Sequence, residues 1–256
     1  MSSRLFVIRH GETEWSLSGH HTGRADVPLS DHGEEEARQL RTRIRDVQFS
    51  SVLTSPLKRA RRTCELAGLA EHARIVIELV EWDNGVYEGM TPQDILVTRP
   101  GWNLFRDGCP GGEMPIQVSE RADRLIKSLR GMDGNVAIFT HGHFGRVLAA
   151  RWIGLSVEFA QHFLLDTASL SILCHQHNQQ DQPAILLWNS SSLEIFERSP
   201  AQSPTVQVQF EAAFWRRRAI ERWENEGGEI LVSNVGALSA PADPTVRFDA
   251  GKQLAD

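Results

Sequence analysis

The 256-residue sequence is poor in cysteine and has no long apolar run. Its three cysteines, Cys64, Cys109 and Cys174, are widely spaced and form no Cys-x-x-Cys pair, so neither a disulfide framework nor a cysteine-based zinc site is predicted. The first apolar run, residues 5–8, is too short for a secretory leader and far below the roughly 20 residues of a membrane span. We therefore expect a cytoplasmic protein in a reducing compartment, without a membrane partner.

Positive charge is also scarce, because 27 Lys and Arg residues face 33 Asp and Glu residues, for a net charge of −6. Binding to a phosphate backbone usually needs an excess of cations, so the balance argues against nucleic acid as a partner. An acidic enzyme can still bind a small anion if its cations are concentrated in one cleft. The length allows one large α/β domain with an appendage.

Two apolar runs end in the same way, at a His-Gly pair. Residues 5–8 precede Arg9, His10 and Gly11, and residues 135–139 lead through Thr140 to His141 and Gly142. An unbroken apolar run is typical of a strand that is buried on both faces, and ligands bind at the carboxyl ends of parallel strands. If the two strands are neighbours, the two histidines meet beside an arginine, which predicts an anion-binding site.

The other elements predict a three-layer α/β/α sandwich with a mostly parallel central sheet and an antiparallel edge. Two closing strands, at 169–173 and 184–188, have a connection too short for a crossover helix and should therefore pair antiparallel. The stretch 91–112 is rich in Pro, Gly and Trp and is expected to be an irregular flap. The remaining predictions are helices at 34–45, 115–129 and 144–153 and strands at 51–54 and 75–77.

A further helix is expected to begin at Ser55-Pro56, and its first turns are crowded with cations. Lys58, Arg59, Arg61 and Arg62 lie where the helix dipole disfavours positive charge. Their position predicts an anionic group nearby.

The last part of the chain differs in composition, so the chain is divided into residues 1–198 and a tail, 199–256. Residues 199–209 are rich in Ser, Pro, Gln and Thr and resemble a linker. A helix at 210–226 and a short strand at 230–232 are expected beyond it. The pattern assigns the tail no role.

The segment from Arg9 to Trp15, Arg-His-Gly-Glu-Thr-Glu-Trp, resembles the signature of the histidine phosphatase superfamily, the phosphoglycerate mutase-like enzymes. Three further blocks, at 54–60, 81–89 and 140–143, are similar to that family's other motifs and occur in the same order. Together the blocks span about residues 4–195. The resemblance implies an enzyme that transfers a phosphoryl group through a phosphohistidine, without a metal or another cofactor.

The resemblance also implies a role for each residue of the site. His10 would be the nucleophile, while Arg9, Arg59 and His141 would bind the phosphoryl oxygens, His141 best when protonated. Glu81 would be the general acid and then the general base, with Glu88 as the less favoured carboxylate. Backbone N–H groups near Gly142, at the start of a helix, would add donors.

Hydrolysis of a phosphorylated metabolite is the favoured reaction. The mutases of the family carry a long insertion after the acid-bearing loop, whereas only the short stretch 91–112 follows it here. Parts of the chain further resemble the sedoheptulose-1,7-bisphosphatase branch and bacterial broad-specificity phosphatases, which implies sugar phosphates or bisphosphates as substrates. The candidate substrate-binding residues are Thr22, Gly23, Arg24, Arg106, Gly142 and Arg146.

Three alternatives stay open at this point: mutase-type transfer, a binder of phosphorylated ligands without turnover, and a metal-dependent phosphoesterase. The third would use the pairs His20-His21, His141-x-His143 and His175-x-His177, although a surface or structural role is the more common one for such pairs. A homo-oligomer is compatible with the sequence, which does not define the oligomeric state.

Overall fold

The structure is a computed structural model that describes residues 4–176 and 182–191. Its strands are β1 (Arg4–Arg9), β2 (Phe49–Thr54), β3 (Ala73–Ile75), β4 (Asn135–Thr140), β5 (Leu170–His175) and β6 (Pro183–Ser190). Its α-helices are α1 (Glu14–Ser18), α2 (Asp31–Ile44), α3 (Lys58–Leu66), α4 (Pro92–Thr98), α5 (Leu104–Asp107), α6 (Pro115–Leu129) and α7 (Gly142–Trp152). The linker, helix and strand predicted at 199–209, 210–226 and 230–232 lie outside the described residues.

The strands form one mixed sheet in the order β3-β2-β4-β1-β5-β6. The first four are parallel neighbours, while β5 is antiparallel to β1 and β6 is antiparallel to β5. This arrangement confirms the predicted mostly parallel sheet with an antiparallel edge. The neighbours β1 and β4 are the two strands that are directly followed by His-Gly.

Helices cover both faces of the sheet, so the predicted three layers are confirmed. Along β1, Leu5 and Val7 belong to the hydrophobic core shared with α6 and α7, whereas Phe6 and Ile8 belong to the core shared with α2 and α3. Alternate side chains of a strand point to opposite faces, which explains why this strand is apolar at every position. Of the described residues, none forms a helix that is long and apolar enough to cross a membrane.

Several elements match their predicted positions, and α6 has the predicted bounds. Its Pro115 lies in the first turn, where the missing N–H is not needed, and its buried residues recur at helical spacing from Val118 to Leu129. The strands β5 and β6 form the predicted antiparallel edge. The helical periodicity of α6 and the short connection between β5 and β6 explain the agreement.

Three local predictions were wrong. The helix expected at Ser55-Pro56 begins at Lys58, because residues 55–57 form a turn in which the Ser55 hydroxyl accepts the Leu57 N–H. The strand expected at 75–77 ends at Ile75, and a 3₁₀ turn follows. The stretch 91–112, expected to be irregular, contains α4 and α5, and α4 begins with a capping box between Thr91 and Asp94.

Candidate active site

The two predicted histidines lie side by side at the carboxyl edge of the sheet. Arg9 in β1 is opposite Thr140 in β4, so the next residue of each strand, His10 and His141, occupies the same level. Their ring centroids are 5.2 Å apart, and the side chains are 4% and 0% exposed. The parallel register therefore creates the pair from residues that are 131 positions apart in the sequence.

His10 is held as a neutral imidazole with a defined tautomer. Its Nδ1 lies 2.7 Å from the Gly11 carbonyl oxygen, which can only accept a hydrogen bond, so Nδ1 carries the proton and Nε2 the lone pair. Burial, with the charges of Arg59 and Arg9, holds the pKa of His10 well below its ordinary value. Nε2 is therefore available as a nucleophile at neutral pH.

His141 is also neutral, which differs from the protonated donor expected from the resemblance. Its Nδ1 accepts a hydrogen bond of 3.1 Å from Arg59 Nε, and its Nε2 lies 2.8 Å from the Ser55 hydroxyl. Because Arg59 can only donate, His141 Nε2 carries the proton. Burial lowers the pKa of His141 further, and the nearby charge of Arg59 adds to the effect.

Arg59 lies fully buried between His141 and the loop that follows α1. Its Nη1 donates to the Ala25 carbonyl at 2.7 Å, and its Nη2 donates to the carbonyls of Thr22 and Gly23 at 3.2 and 3.0 Å. Burial lowers the pKa of Arg59 to about 10, so the guanidinium remains charged at neutral pH. The side chain thus connects the 22–25 loop to the histidine pair.

The anion expected near the start of α3 is Asp26. Its carboxylate accepts the backbone N–H of Lys58 at 2.7 Å and lies 3.6 Å from the Lys58 ammonium. It therefore satisfies the helix terminus and offsets part of the local positive charge.

Arg9 packs against the first turn of α7. Its guanidinium donates to the Leu165 carbonyl, and a Cβ atom at Gly142 would lie 3.2 Å from its Cζ. Any side chain at position 142 would crowd the arginine. Glycine there lets the charged group and the helix terminus approach each other closely.

Glu81 reaches the N-terminus of α7, where its carboxylate accepts two backbone N–H groups, and it accepts a third from its neighbour Trp82. The donors are Trp82 and Phe144 at 2.8 Å and His143 at 3.0 Å. A carboxylate is favoured there because the first N–H groups of a helix lack partners and the dipole is positive. The predicted acid therefore lies at the helix terminus that follows His141.

Glu88 is part of the same loop but points to a different segment. Its Oε1 accepts the N–H groups of Gly23 and Ala25 at 2.8 and 3.0 Å, and its Oε2 accepts the N–H of Arg24 at 3.2 Å. A Cβ atom at Gly23 would lie 2.6 Å from Glu88 Oε2, so the close approach requires glycine. The carboxylate holds three successive backbone donors of the 22–25 loop.

The loop that carries Glu81 is fixed from behind by Arg121 in α6. This buried arginine donates to the carbonyls of Glu78 and Val80 at 2.8 and 2.7 Å and to both carboxylate oxygens of Glu113 at 2.7 Å. Glu113 in turn accepts the N–H of Asp83 at 3.0 Å. Sequence reasoning missed this pair, since the two residues carry no local signal beyond their charge.

A cavity open to solvent lies beside these groups, and the structure brings only part of the predicted set to it. It is lined by Arg9, His10, Ser16, Gly19, His20, His21, Thr22, Glu81, Gly142 and His143. Arg59 and His141 are fully buried near His10 and do not line the cavity. Gly23 contributes to the 22–25 loop without lining the cavity, and Arg24 contacts Asp83 at 3.4 Å.

Two predicted substrate-binding residues lie elsewhere. Arg146 is fully buried, donates to the carbonyls of Ala160 and Gln161 at 3.0 and 2.8 Å, and covers the Phe105 ring. Arg106 is exposed and pairs with its neighbour Asp107 at 2.8 Å. An arginine on its own gives no signal that separates a ligand contact from a carbonyl clamp or a surface ion pair.

Three histidines that sequence reasoning assigned to surface or structural roles line the cavity. His21 and His143 are buried, with ring centroids 5.5 Å apart and nearly parallel planes, and His20 lies beside them. Across residues 4–176 and 182–191, no group of three or more His, Cys, Asp and Glu side chains is arranged to bind a metal ion. The available signal was their proximity in sequence to His10 and His141.

Comparison with known proteins identifies the family. Residues 5–191 match the family model of the histidine phosphatase superfamily, branch 1. The chain belongs to this superfamily. The four sequence blocks that resemble its motifs contribute the buried cluster of Arg9, His10, Arg59, Glu81 and His141.

Two of the similar proteins are named as phosphatases. An acid phosphatase from Mycobacterium tuberculosis is 37% identical over 178 residues, covering 68% of this chain and 87% of that protein. The sedoheptulose 1,7-bisphosphatase of Saccharomyces cerevisiae is 32% identical, with 73% of this chain and 93% of that protein covered. A solved structure of an open reading frame product from Mycobacterium tuberculosis has a TM-score of 0.70 at 34% identity and covers 74% of this chain and 98% of that one.

Proposed function

We propose that this chain is a phosphomonoesterase that works through a phosphohistidine formed on His10. The observation that carries the proposal is the tautomer of His10, since the Gly11 carbonyl fixes the proton on Nδ1 and leaves Nε2 as an unprotonated nucleophile. Two buried guanidinium groups, Arg9 and Arg59, lie close enough to lower the pKa of His10. Positive charge around the reacting phosphorus is what phosphoryl transfer requires.

In the first step, Nε2 of His10 attacks phosphorus and the bond from phosphorus to the alkoxide oxygen breaks. Glu81, on the wall of the cavity, gives a proton to the departing oxygen. This step leaves Glu81 as a carboxylate.

In the second step, water attacks the phosphorus of the phosphohistidine and the bond from phosphorus to nitrogen breaks. The Glu81 carboxylate accepts the proton of that water, and inorganic phosphate leaves. The three backbone N–H groups around Glu81 suit the carboxylate needed here. Both steps use groups of the chain itself, which is the basis for proposing that turnover needs no metal.

The proposal is tested by hydrolysis of 4-nitrophenyl phosphate in excess chelator, with the wild type beside His10→Ala. We expect chelator-resistant turnover that falls by roughly 10⁴-fold or more in the variant, as for loss of other catalytic nucleophiles. Acid-labile phosphate should be trapped on the wild type only. Turnover that stops with chelation would support the metal-dependent alternative, and activity retained by His10→Ala would reject the proposal.

We further propose sugar phosphates or bisphosphates as the substrate class. The support is the similarity to a relative named sedoheptulose 1,7-bisphosphatase and a cavity lined by the polar side chains of Ser16, His20, Thr22 and His143. Hydroxyl oxygens and ring nitrogens of this kind can form hydrogen bonds with the hydroxyl groups of a sugar. A panel of phosphorylated sugars, amino acids and phosphoglycerates tests this class. A clear preference for 3-phosphoglycerate, with transfer in place of release, would favour the mutase alternative.

A further inference from the structure

The Glu88 carboxylate accepts hydrogen bonds from backbone N–H groups of the 22–25 loop. Three successive N–H groups, from Gly23, Arg24 and Ala25, converge on its two oxygens at 2.8 to 3.2 Å. Such successive donors form a concave anion-binding turn. The family motif gave Glu88 only the role of a less favoured acid.

The same turn uses its carbonyl groups to hold Arg59. The oxygens of Thr22, Gly23 and Ala25 accept hydrogen bonds from the guanidinium at 2.7 to 3.2 Å, and Arg59 Nε bonds to His141. N–H groups on one side of the turn face Glu88, and carbonyls on the other face the arginine. The conformation that suits one partner therefore suits the other.

We propose that Glu88 is a positioning residue that sets the place of Arg59 through the 22–25 loop. The inference rests on the proposed function, in which Arg59 stabilises the phosphoryl group. Among the described residues, the cavity lining includes Glu81 and not Glu88, so the two glutamates of this loop have different roles. Glu81 takes part in proton transfer, and Glu88 fixes a guanidinium.

The first test compares Glu88→Gln and Glu88→Ala on two substrates, 4-nitrophenyl phosphate and an alkyl phosphate. A misplaced guanidinium weakens phosphoryl stabilisation on both, so we expect kcat/KM to fall about 10- to 100-fold to the same extent. A general acid matters far more for the poor alkoxide leaving group. A loss confined to the alkyl phosphate would overturn the proposal and make Glu88 the acid.

The second test is a double-mutant cycle with Arg59→Ala. If Glu88 acts through Arg59, Glu88→Gln should cost little more than twofold in the Arg59→Ala background. If the loss of kcat/KM in the double variant equals the product of the two single losses, Glu88 acts independently of Arg59, and the proposal is wrong. Formate, a small carboxylate, should partly restore Glu88→Ala by occupying the turn, but should not affect Arg59→Ala.

Asp94 provides a matched control, since its carboxylate accepts the N–H and hydroxyl of Thr91, the residue before α4, and does not line the cavity. Asp94→Asn should keep wild-type kcat/KM and show no response to formate. If Glu88→Ala does not fold, Glu88→Gln, which retains one acceptor oxygen, carries both tests. Wild-type activity in Glu88→Gln and Glu88→Ala would reject the inference, whereas an inactive wild type would reject the proposed function itself.

Discussion

The two sides of the cavity are built in different ways. On one side, His10 and His141 follow two parallel strands, and the sheet register alone brings them to the same level. On the other side, residues 81–88 contain only a short 3₁₀ turn, and side chains from other elements hold the loop in place. The strand side thus depends on a hydrophobic core with many contributors, whereas the loop side depends on a few polar pairs that single substitutions can remove.

Substitution of Glu81, on the loop side, should cause the largest loss of activity. Glu81→Gln keeps the shape but cannot transfer a proton, so kcat on alkyl phosphates should fall by about 10²- to 10⁴-fold. Formation of phosphohistidine from 4-nitrophenyl phosphate should be affected much less, because that leaving group needs little protonation. Rapid-quench measurement of the phosphoenzyme separates this step from the later hydrolysis, in which Glu81 acts as base. An equal loss in the rate of phosphoenzyme formation on both substrates would contradict the role of Glu81 as the acid.

Removal of Arg59 tests the strand side. Arg59→Ala should lower kcat/KM by about 10²- to 10³-fold on every monoester, since it removes a charged donor and the partner of His141. Arg61→Ala, on an exposed position of the same helix, is the matched control and should behave as the wild type. Unchanged turnover in Arg59→Ala would remove this arginine from the site.

Arg121 tests how strongly the loop side depends on one pair. Arg121→Met leaves the Glu113 carboxylate and the carbonyls of Glu78 and Val80 without their donor, which should cost about 3 to 5 kcal/mol of unfolding free energy. Arg151→Met breaks a more exposed pair with Asp123 and should cost less than about 1 kcal/mol. Equal denaturant midpoints for the two variants would show that the buried pair stabilises the fold no more than the exposed one.

The pH profile offers a finer test of the same charges. Burial and the two arginines lower the pKa of His10, so the neutral nucleophile persists to lower pH and its acid limb in kcat/KM should lie below pH 6.5. In Arg59→Ala one cause of the shift is removed, and the limb should move upward. Comparing the two proteins on one substrate cancels the ionisation of the phosphate itself. A limb at or above pH 6.5 in the wild type would disagree with the geometry.

Arg106 should give the smallest effect. It pairs with Asp107 on the surface and lies away from the cavity lining, so Arg106→Ala should change kcat/KM on a sugar bisphosphate by less than about twofold. A tenfold loss of kcat/KM on bisphosphates alone would show that Arg106 binds the second phosphate.

The sequence by itself determined the sheet, its antiparallel edge and the pair of histidines. Apolar runs such as 5–8 indicate burial on both faces, and His-Gly after them marks the edge where ligands bind. Both signals come from residues that are neighbours in the sequence, so they can be recognised before the chain is folded. The capping box of Thr91 and Asp94 is a local signal too, but the prediction for 91–112 was made from the Pro, Gly and Trp content alone.

Only the tertiary structure decided which charges meet. The tautomer of His141 depends on Arg59, 82 positions away, and the role of Glu88 depends on backbone N–H groups 63 to 65 positions away. Arg106 and Arg146 differ in burial and partners, although both are arginines at unremarkable positions in the sequence. Hydrogen bonds between distant segments leave no periodic pattern, so their partners become known only when the chain is folded.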